Sequence, residues 1–103
     1  MTEIAATLQQ AERIADTLKA LAHPIRLRII AILCEGDQNV NTLAERLSVK
    51  QAIVSQHLRI LRMRSLVEVA RRNGFAYYRL AGQKLRELVR SMTSALEKEE
   101  ERP

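Results

Sequence analysis

Between Asn41 and Leu80 two short amphipathic runs, a tight turn and a pair of strand-like runs follow one another, and that order admits few folds. The first part reads Asn41-Thr-Leu-Ala-Glu-Arg-Leu-Ser-Val-Lys-Gln-Ala-Ile-Val-Ser-Gln-His-Leu-Arg-Ile-Leu61. Leu43, Ala44 and Leu47 share one helical face, and Val54, Leu58 and Leu61 share another, with a break at Ser48-Val49. The second part runs from Leu66 to Leu80 and is centred on Asn73-Gly74. That dipeptide predicts a two-residue hairpin, because both of its positions tolerate positive φ. Helix, turn, helix and hairpin over residues 41–64 and 66–80 predict a module with a projecting second helix and an arginine-tipped wing.

Apolar spacing extends the frame in both directions. Ile4, Leu8, Ala11, Ala15, Leu18 and Ala22 recur every three or four residues and predict an amphipathic helix over 3–21. His23-Pro24 interrupts it, since proline disfavours helix at the preceding residue and suits the first turn of the next. From Pro24 to about Cys34 the run is apolar nearly all round, as in a central buried helix that ends at Gly36-Asp37. Asn41 or Thr42 is suited to cap the third helix, and the fourth is expected from Gln51 to Arg64. Leu85, Leu88, Val89, Met92 and Leu96 predict a final helix over 83–100, with the charged run from Glu97 onward fraying. The expectation is one domain over 1–103, mainly α with a small β-hairpin, in the order α-α-α-α-β-β-α.

Charge distribution narrows the function. The net charge is +5, but from Lys50 to Leu80 seven cations face a single anion, a local net of +6 that leaves the remainder at −1. A basic module beside a nearly neutral remainder suits a phosphate backbone. A helix of about 10–12 Å diameter fits the major groove of B-DNA. Gln51, Ser55, Gln56 and Arg59 lie on the face of the fourth helix away from its apolar stripe. Glutamine suits adenine, serine adapts to several base edges, and arginine suits guanine or phosphate. Arg71, Arg72 and Asn73 at the hairpin tip are placed for a minor groove or its phosphates, and Thr42 and Lys50 for phosphates at the edges of the motif. The bland reading of the same residues is an ordinary solvated surface. His57 borders the buried stripe and reads as a hydrogen-bonded structural residue before a base contact. Tyr77 and Tyr78 read as strand residues, one inward and one outward.

Three segments resemble the ArsR/SmtB family of bacterial winged-helix repressors, over nearly the whole chain. Leu18-Lys-Ala-Leu-Ala-His-Pro-Ile-Arg-Leu-Arg-Ile-Ile30 looks like its second-helix signature. Ala52-Ile-Val-Ser-Gln-His-Leu-Arg-Ile-Leu61 is similar to its recognition helix, and Leu66-Val through Tyr77-Tyr78 resembles its wing. The departures are Ser48, Lys50 and Ala52, where the family often has Gly, a small capping residue and Pro. The resemblance implies base contacts at Gln51, Ser55 and Gln56 and a homodimer built through the first and last helices. It further implies repression by occupancy of an inverted repeat in double-stranded DNA. Two amphipathic helices outside the helix-turn-helix and the few base pairs that one module reads also favour a dimer, the alternative being a monomer with both helices packed onto its own core.

Regulation and competing classes are read residue by residue. The family's third-helix metal site needs thiolates, which Asn39, Asn41 and Thr42 do not supply; its last-helix site would fall on Gly82, Lys84, Ala95 and Lys98. No metal and no cofactor are expected. The dithiol branch needs a cysteine at Ala31 and another in the last helix, and neither is present. The lone Cys34 is either an inert buried thiol or a single-thiol switch, and no residue names an inducer. An enzyme is disfavoured because His23 and His57 have neither a nucleophile nor a phosphate loop beside them. A helix-turn-helix turned to protein contact would carry an acidic or apolar recognition face, and a chromosome-coating protein would ignore sequence. One cysteine, no apolar run of about 20 residues and no basic leader suggest a cytoplasmic protein with no membrane partner.

Overall fold

Helix α2, Pro24–Glu35, is the axis of the domain. In a computed structural model, which describes residues 7–100, it buries Ile29, Ile30, Ile32, Leu33 and Cys34 and is packed against every other helix. His23 caps it, its Nδ1 accepting from the Ile25 amide at 3.1 Å, and Pro24 occupies the first turn, where a missing N–H costs nothing.

Around this axis stand α1 (Leu8–Leu21), α3 (Val40–Leu47), α4 (Gln51–Met63) and α5 (Gln83–Glu100), with strands β1 (Val67–Arg72) and β2 (Phe75–Leu80). Seven side chains that are almost wholly enclosed form the centre: Ile29, Ile30, Leu33, Leu43, Val54, Leu58 and Leu61. Six of them come from α2 and α4, so the second helix of the helix-turn-helix is fixed directly to the axis. Among the described residues the fold is the expected one: five helices and a two-stranded antiparallel hairpin.

Boundaries differ in four places. The first helix begins at Leu8, behind a capping box in which the Thr7 hydroxyl accepts from the Gln10 amide and the Gln10 side chain accepts from the Thr7 amide. Ile4 lies outside the described residues. The third helix is capped by Asn39, not by Asn41 or Thr42; Asn39 Oδ1 accepts from the Thr42 amide at 2.8 Å. The fourth helix ends at Met63, one residue earlier than expected. The last helix continues to Glu100, so residues 97–100 are helical and not frayed.

Register in the hairpin follows its turn. Asn73 and Gly74 have φ of 52° and 82°, the positive pair that a primed two-residue turn requires, and Arg72 pairs with Phe75. Period-two alternation then sends Val67, Val69, Tyr78 and Leu80 toward the core, while Glu68, Tyr77 and Arg79 lie on the other face. Tyr78 packs against the core and Tyr77 does not, as the strand reading expected. One contact had no sequence signal. Gln38 pairs with Tyr78 through both backbone bonds, at 3.0 and 2.7 Å, adding a single rung of sheet. This rung ties the base of the wing to the loop before α3.

Candidate nucleic-acid interface

Helix α3 and helix α4 meet through Leu43, Ala44 and Leu47 on one side and Val54, Leu58 and Leu61 on the other, all buried. The turn between them requires a left-handed residue. Ser48 takes it, with φ 56° and ψ 42°, and its amide donates to the Ala44 and Glu45 carbonyls. A residue with a Cβ is strained there by about 1 kcal/mol, which is why glycine is common at such positions. Lys50 stands at the N-cap of α4 and makes no side-chain cap, leaving its ammonium in solvent.

Burying Val54, Leu58 and Leu61 decides what α4 exposes. Gln51, Ala52, Ser55, Gln56 and Arg59 all face solvent. Gln51, Ser55 and Gln56 form one polar edge of the helix, and its first residue is buttressed: Gln51 Nε2 donates to Asn41 Oδ1 on α3. Asn41 was expected as a cap; it instead orients this carboxamide. Thr42 is half-buried in the first turn of α3. His57 does not join the edge. Its Nδ1 lies 3.2 Å from an Arg26 Nη1 and its ring lies 4.5 Å from that of His23, so it is a structural residue, as read.

The cations of the module fall into two groups. Arg64, Arg72 and Arg79 pair with Asp16 (3.6 Å), Asp37 (3.1 Å) and Glu68 (2.8 Å). Lys50, Arg59, Arg62 and Arg71 have no ion pair among the described residues. Arg72 is held further by Tyr77, its guanidinium 4.5 Å from the ring centroid. At the tip of the wing Arg71 and Asn73 are therefore exposed and uncommitted, whereas Arg72 is drawn back toward the loop before α3. Sequence reasoning could not separate Arg71 from Arg72. The pairing register does so, because adjacent strand residues point to opposite faces.

Cys34 lies far from this edge, on the side of α2 covered by α5. It is 9% exposed and borders a recess lined by Ala31, Val89, Arg90 and Thr93. Burial raises its thiol above the ordinary range and Glu35 adds to this, against the opposing pull of Arg86 and Arg90. A thiol held protonated is a poor nucleophile. Among the described residues no group of three His, Cys, Asp or Glu side chains is placed to hold a metal ion. Nor is any described helix long and apolar enough to cross a membrane.

Comparison with known proteins agrees with this geometry. Residues 23–69, from the cap of α2 into β1, match the bacterial regulatory protein, arsR family. The chain is 34% identical over 84 residues to the biofilm growth-associated repressor of Xylella fastidiosa, covering 82% of this chain and 74% of that protein. It is 36% identical over 91 residues to the transcriptional repressor SmtB homolog of Synechocystis, covering 88% of this chain and 69% of that protein. The crystal structure of the transcriptional repressor BigR from Xylella fastidiosa superposes with a TM-score of 0.77 at 33% identity, over 84% of this chain and 89% of that one. A homodimeric winged helix-turn-helix DNA-binding domain from Mycobacterium bovis gives 0.84 at 27% identity, over 98% and 92%. With its helix-turn-helix, wing and these relatives taken together, the chain belongs to the arsR family of bacterial regulatory proteins.

Proposed function

We propose that this protein is a homodimeric transcriptional repressor, not an enzyme, that acts in the cytoplasm by occupying an inverted-repeat operator. The observation that carries the reading is the polar edge Gln51, Ser55 and Gln56, set opposite the buried Val54, Leu58 and Leu61 on a helix flanked by uncommitted cations. The edge enters the major groove and reads bases. Thr42, Lys50, Arg59, Arg71 and Asn73 engage phosphates or the neighbouring minor groove, and Arg72 orients the wing. The similarity to named repressors and to a DNA-binding domain supports the same role.

Dimerisation is supported by apolar surface that a lone chain leaves in water. Leu8 and Leu18 on α1 and Leu88 and Leu96 on α5 are all exposed, Leu8 by 77% and Leu96 by 62%. Helices over 8–21 and 83–100 pack against a second copy, which sets two recognition edges about 34 Å apart on one side of the duplex. A redox-switched repressor is disfavoured by the buried, protonated thiol of Cys34.

Selection of duplexes from a random pool by the purified chain tests the reading, together with sedimentation of the protein alone. The expected outcome is a two-fold symmetric site with half-sites about one helical turn apart, bound by a dimer. A monomer, or a pool that shows no enrichment over its starting composition, refutes it.

A further inference from the structure

Arg26 on α2 bonds to both ends of a path from α1 to the recognition helix. Its Nε donates to the carbonyl of Ala20, in the last turn of α1, at 2.5 Å, and its Nη1 lies 3.2 Å from His57 Nδ1 on α4. Guanidinium nitrogens only donate, so Nδ1 of His57 must accept and the neutral ring carries its hydrogen on Nε2. His23 closes the cluster: its Nδ1 is committed to the Ile25 amide at 3.1 Å, and its ring lies against that of His57 with centroids 4.5 Å apart. Neither ring can take a proton on Nδ1 and keep its bond.

We propose that Arg26 is a positioning residue for DNA reading, which fixes the recognition helix relative to α1 through an uncharged His57, so that a proton on His57 releases the helix and weakens specific binding. The proton, taken from solvent, replaces the lone pair that Arg26 addresses and sets a second positive charge beside the guanidinium. Among the described residues no carboxylate is paired with His57 to absorb that charge. On α1, Asp16 is engaged with Arg64, the residue that caps the C-terminus of α4. On α3, Glu45 is exposed and Arg46 pairs with Glu35; on β1, Glu68 pairs with Arg79. Partial burial, and then the neighbouring His23 and Arg26, hold the His57 ring below the ordinary histidine range; among the described residues these two are the charged or titratable groups that bear on it. Because α1 also carries the apolar stripe assigned to the dimer, the same arginine links that face to the base-reading edge.

The inference rests on the DNA-reading role proposed above, and its direction distinguishes it from general electrostatics. Added positive charge favours phosphate contact, so a protein with no such link binds DNA more tightly on acidification. The experiment titrates the full chain onto its selected duplex and onto a scrambled duplex from about pH 7.5 to about pH 5.5 at constant ionic strength. Wild type is expected to lose affinity for the selected site by about tenfold, one proton per protomer, with unchanged circular dichroism and no loss on the scrambled duplex. His57→Asn keeps an acceptor near the Nδ1 position and takes no proton; its profile is expected to be flat. Arg26→Lys keeps the charge but not the fork, and is expected to weaken selected-site binding at the upper pH while leaving scrambled binding alone. Wild-type affinity that rises on acidification, or a His57→Asn profile parallel to wild type, overturns the inference, as does an Arg26→Lys variant that binds like wild type. Imidazole nitrogen shifts in the DNA-free protein read the link separately, with Nδ1 of His57 unprotonated and shifted by Arg26→Lys. That signature without any sequence-specific binding refutes the repressor reading; its absence refutes the link.

Discussion

Adjacent arginines on the wing are predicted to do different work, and salt dependence tells them apart. Arg71 is exposed and has no ion pair among the described residues, so its charge is available to phosphate. Removing a phosphate contact lowers the slope of log affinity against log salt by about 0.9, hence about 1.8 for a dimer with two wings. Arg72 sits 3.1 Å from Asp37 Oδ2 and 4.5 Å from the Tyr77 ring centroid. Its side chain is 55% exposed and that of Asp37 31%, so solvent screening limits the ion pair to less than about 1 kcal/mol. The ring contact adds about 0.5–1 kcal/mol. Reaching a phosphate would require Arg72 to give up both. Arg71→Ala should therefore flatten the salt slope by about 1.8. Arg72→Ala should leave the slope nearly unchanged and lower unfolding stability by about 1 kcal/mol. Asp37→Asn, which frees Arg72, should steepen the slope. Anisotropy titrations over a salt series, with urea melts of each variant, make the comparison. If Arg72→Ala flattens the slope as much as Arg71→Ala and Asp37→Asn does nothing, Arg72 swings to the duplex and the division is wrong.

Four further outcomes are expected. Leu58→Ala, at a position 1% exposed in the centre of the core, should cost about 3 kcal/mol in urea denaturation and loosen the recognition helix; a cost below about 1 kcal/mol would mean the core closes over the gap. Ser48→Gly should raise the urea midpoint by relieving the left-handed strain at φ 56°, and Ser48→Val should lower it; the reverse order would show that the turn is set by something other than φ. Because His57 in the folded protein titrates below the ordinary value of about 6.5, the folded state binds fewer protons than the unfolded one. Stability is then full above that value and declines as pH falls toward the folded-state value, and melts of wild type should show this decline where His57→Asn does not. Leu18→Glu combined with Leu96→Glu should give a monomer by sedimentation and a large loss of operator affinity; an intact dimer would move the interface elsewhere.

Local chemistry alone fixed most of the module. Asn73-Gly74 dictated the hairpin register because few dipeptides hold two positive φ angles, and the spacing of Val54, Leu58 and Leu61 determined which side of α4 faces solvent. His23-Pro24 marked the start of α2 for the same kind of reason, a steric rule acting between neighbours. The third helix began earlier than expected because Asn39, Asn41 and Thr42 are all competent caps, and intrinsic preference does not rank them. The capping box at Thr7 and Gln10 was legible as Thr-x-x-Gln but was overrun by an apolar periodicity that continued upstream.

What only the tertiary structure decided are the contacts between residues far apart in the chain. Packing of α2 against α1 and α4 brought Arg26 to His57, and the rung between Gln38 and Tyr78 brought the loop before α3, with Asp37, to Arg72. Helix and strand periodicities state which face of an element is apolar. They do not state which partner that face meets, because many pairs of apolar faces bury similar area and only the closed core selects one arrangement. The polar edge proposed to read DNA was therefore present in residues 51–61 from the outset. Which cations remain available to use with it was settled by the fold.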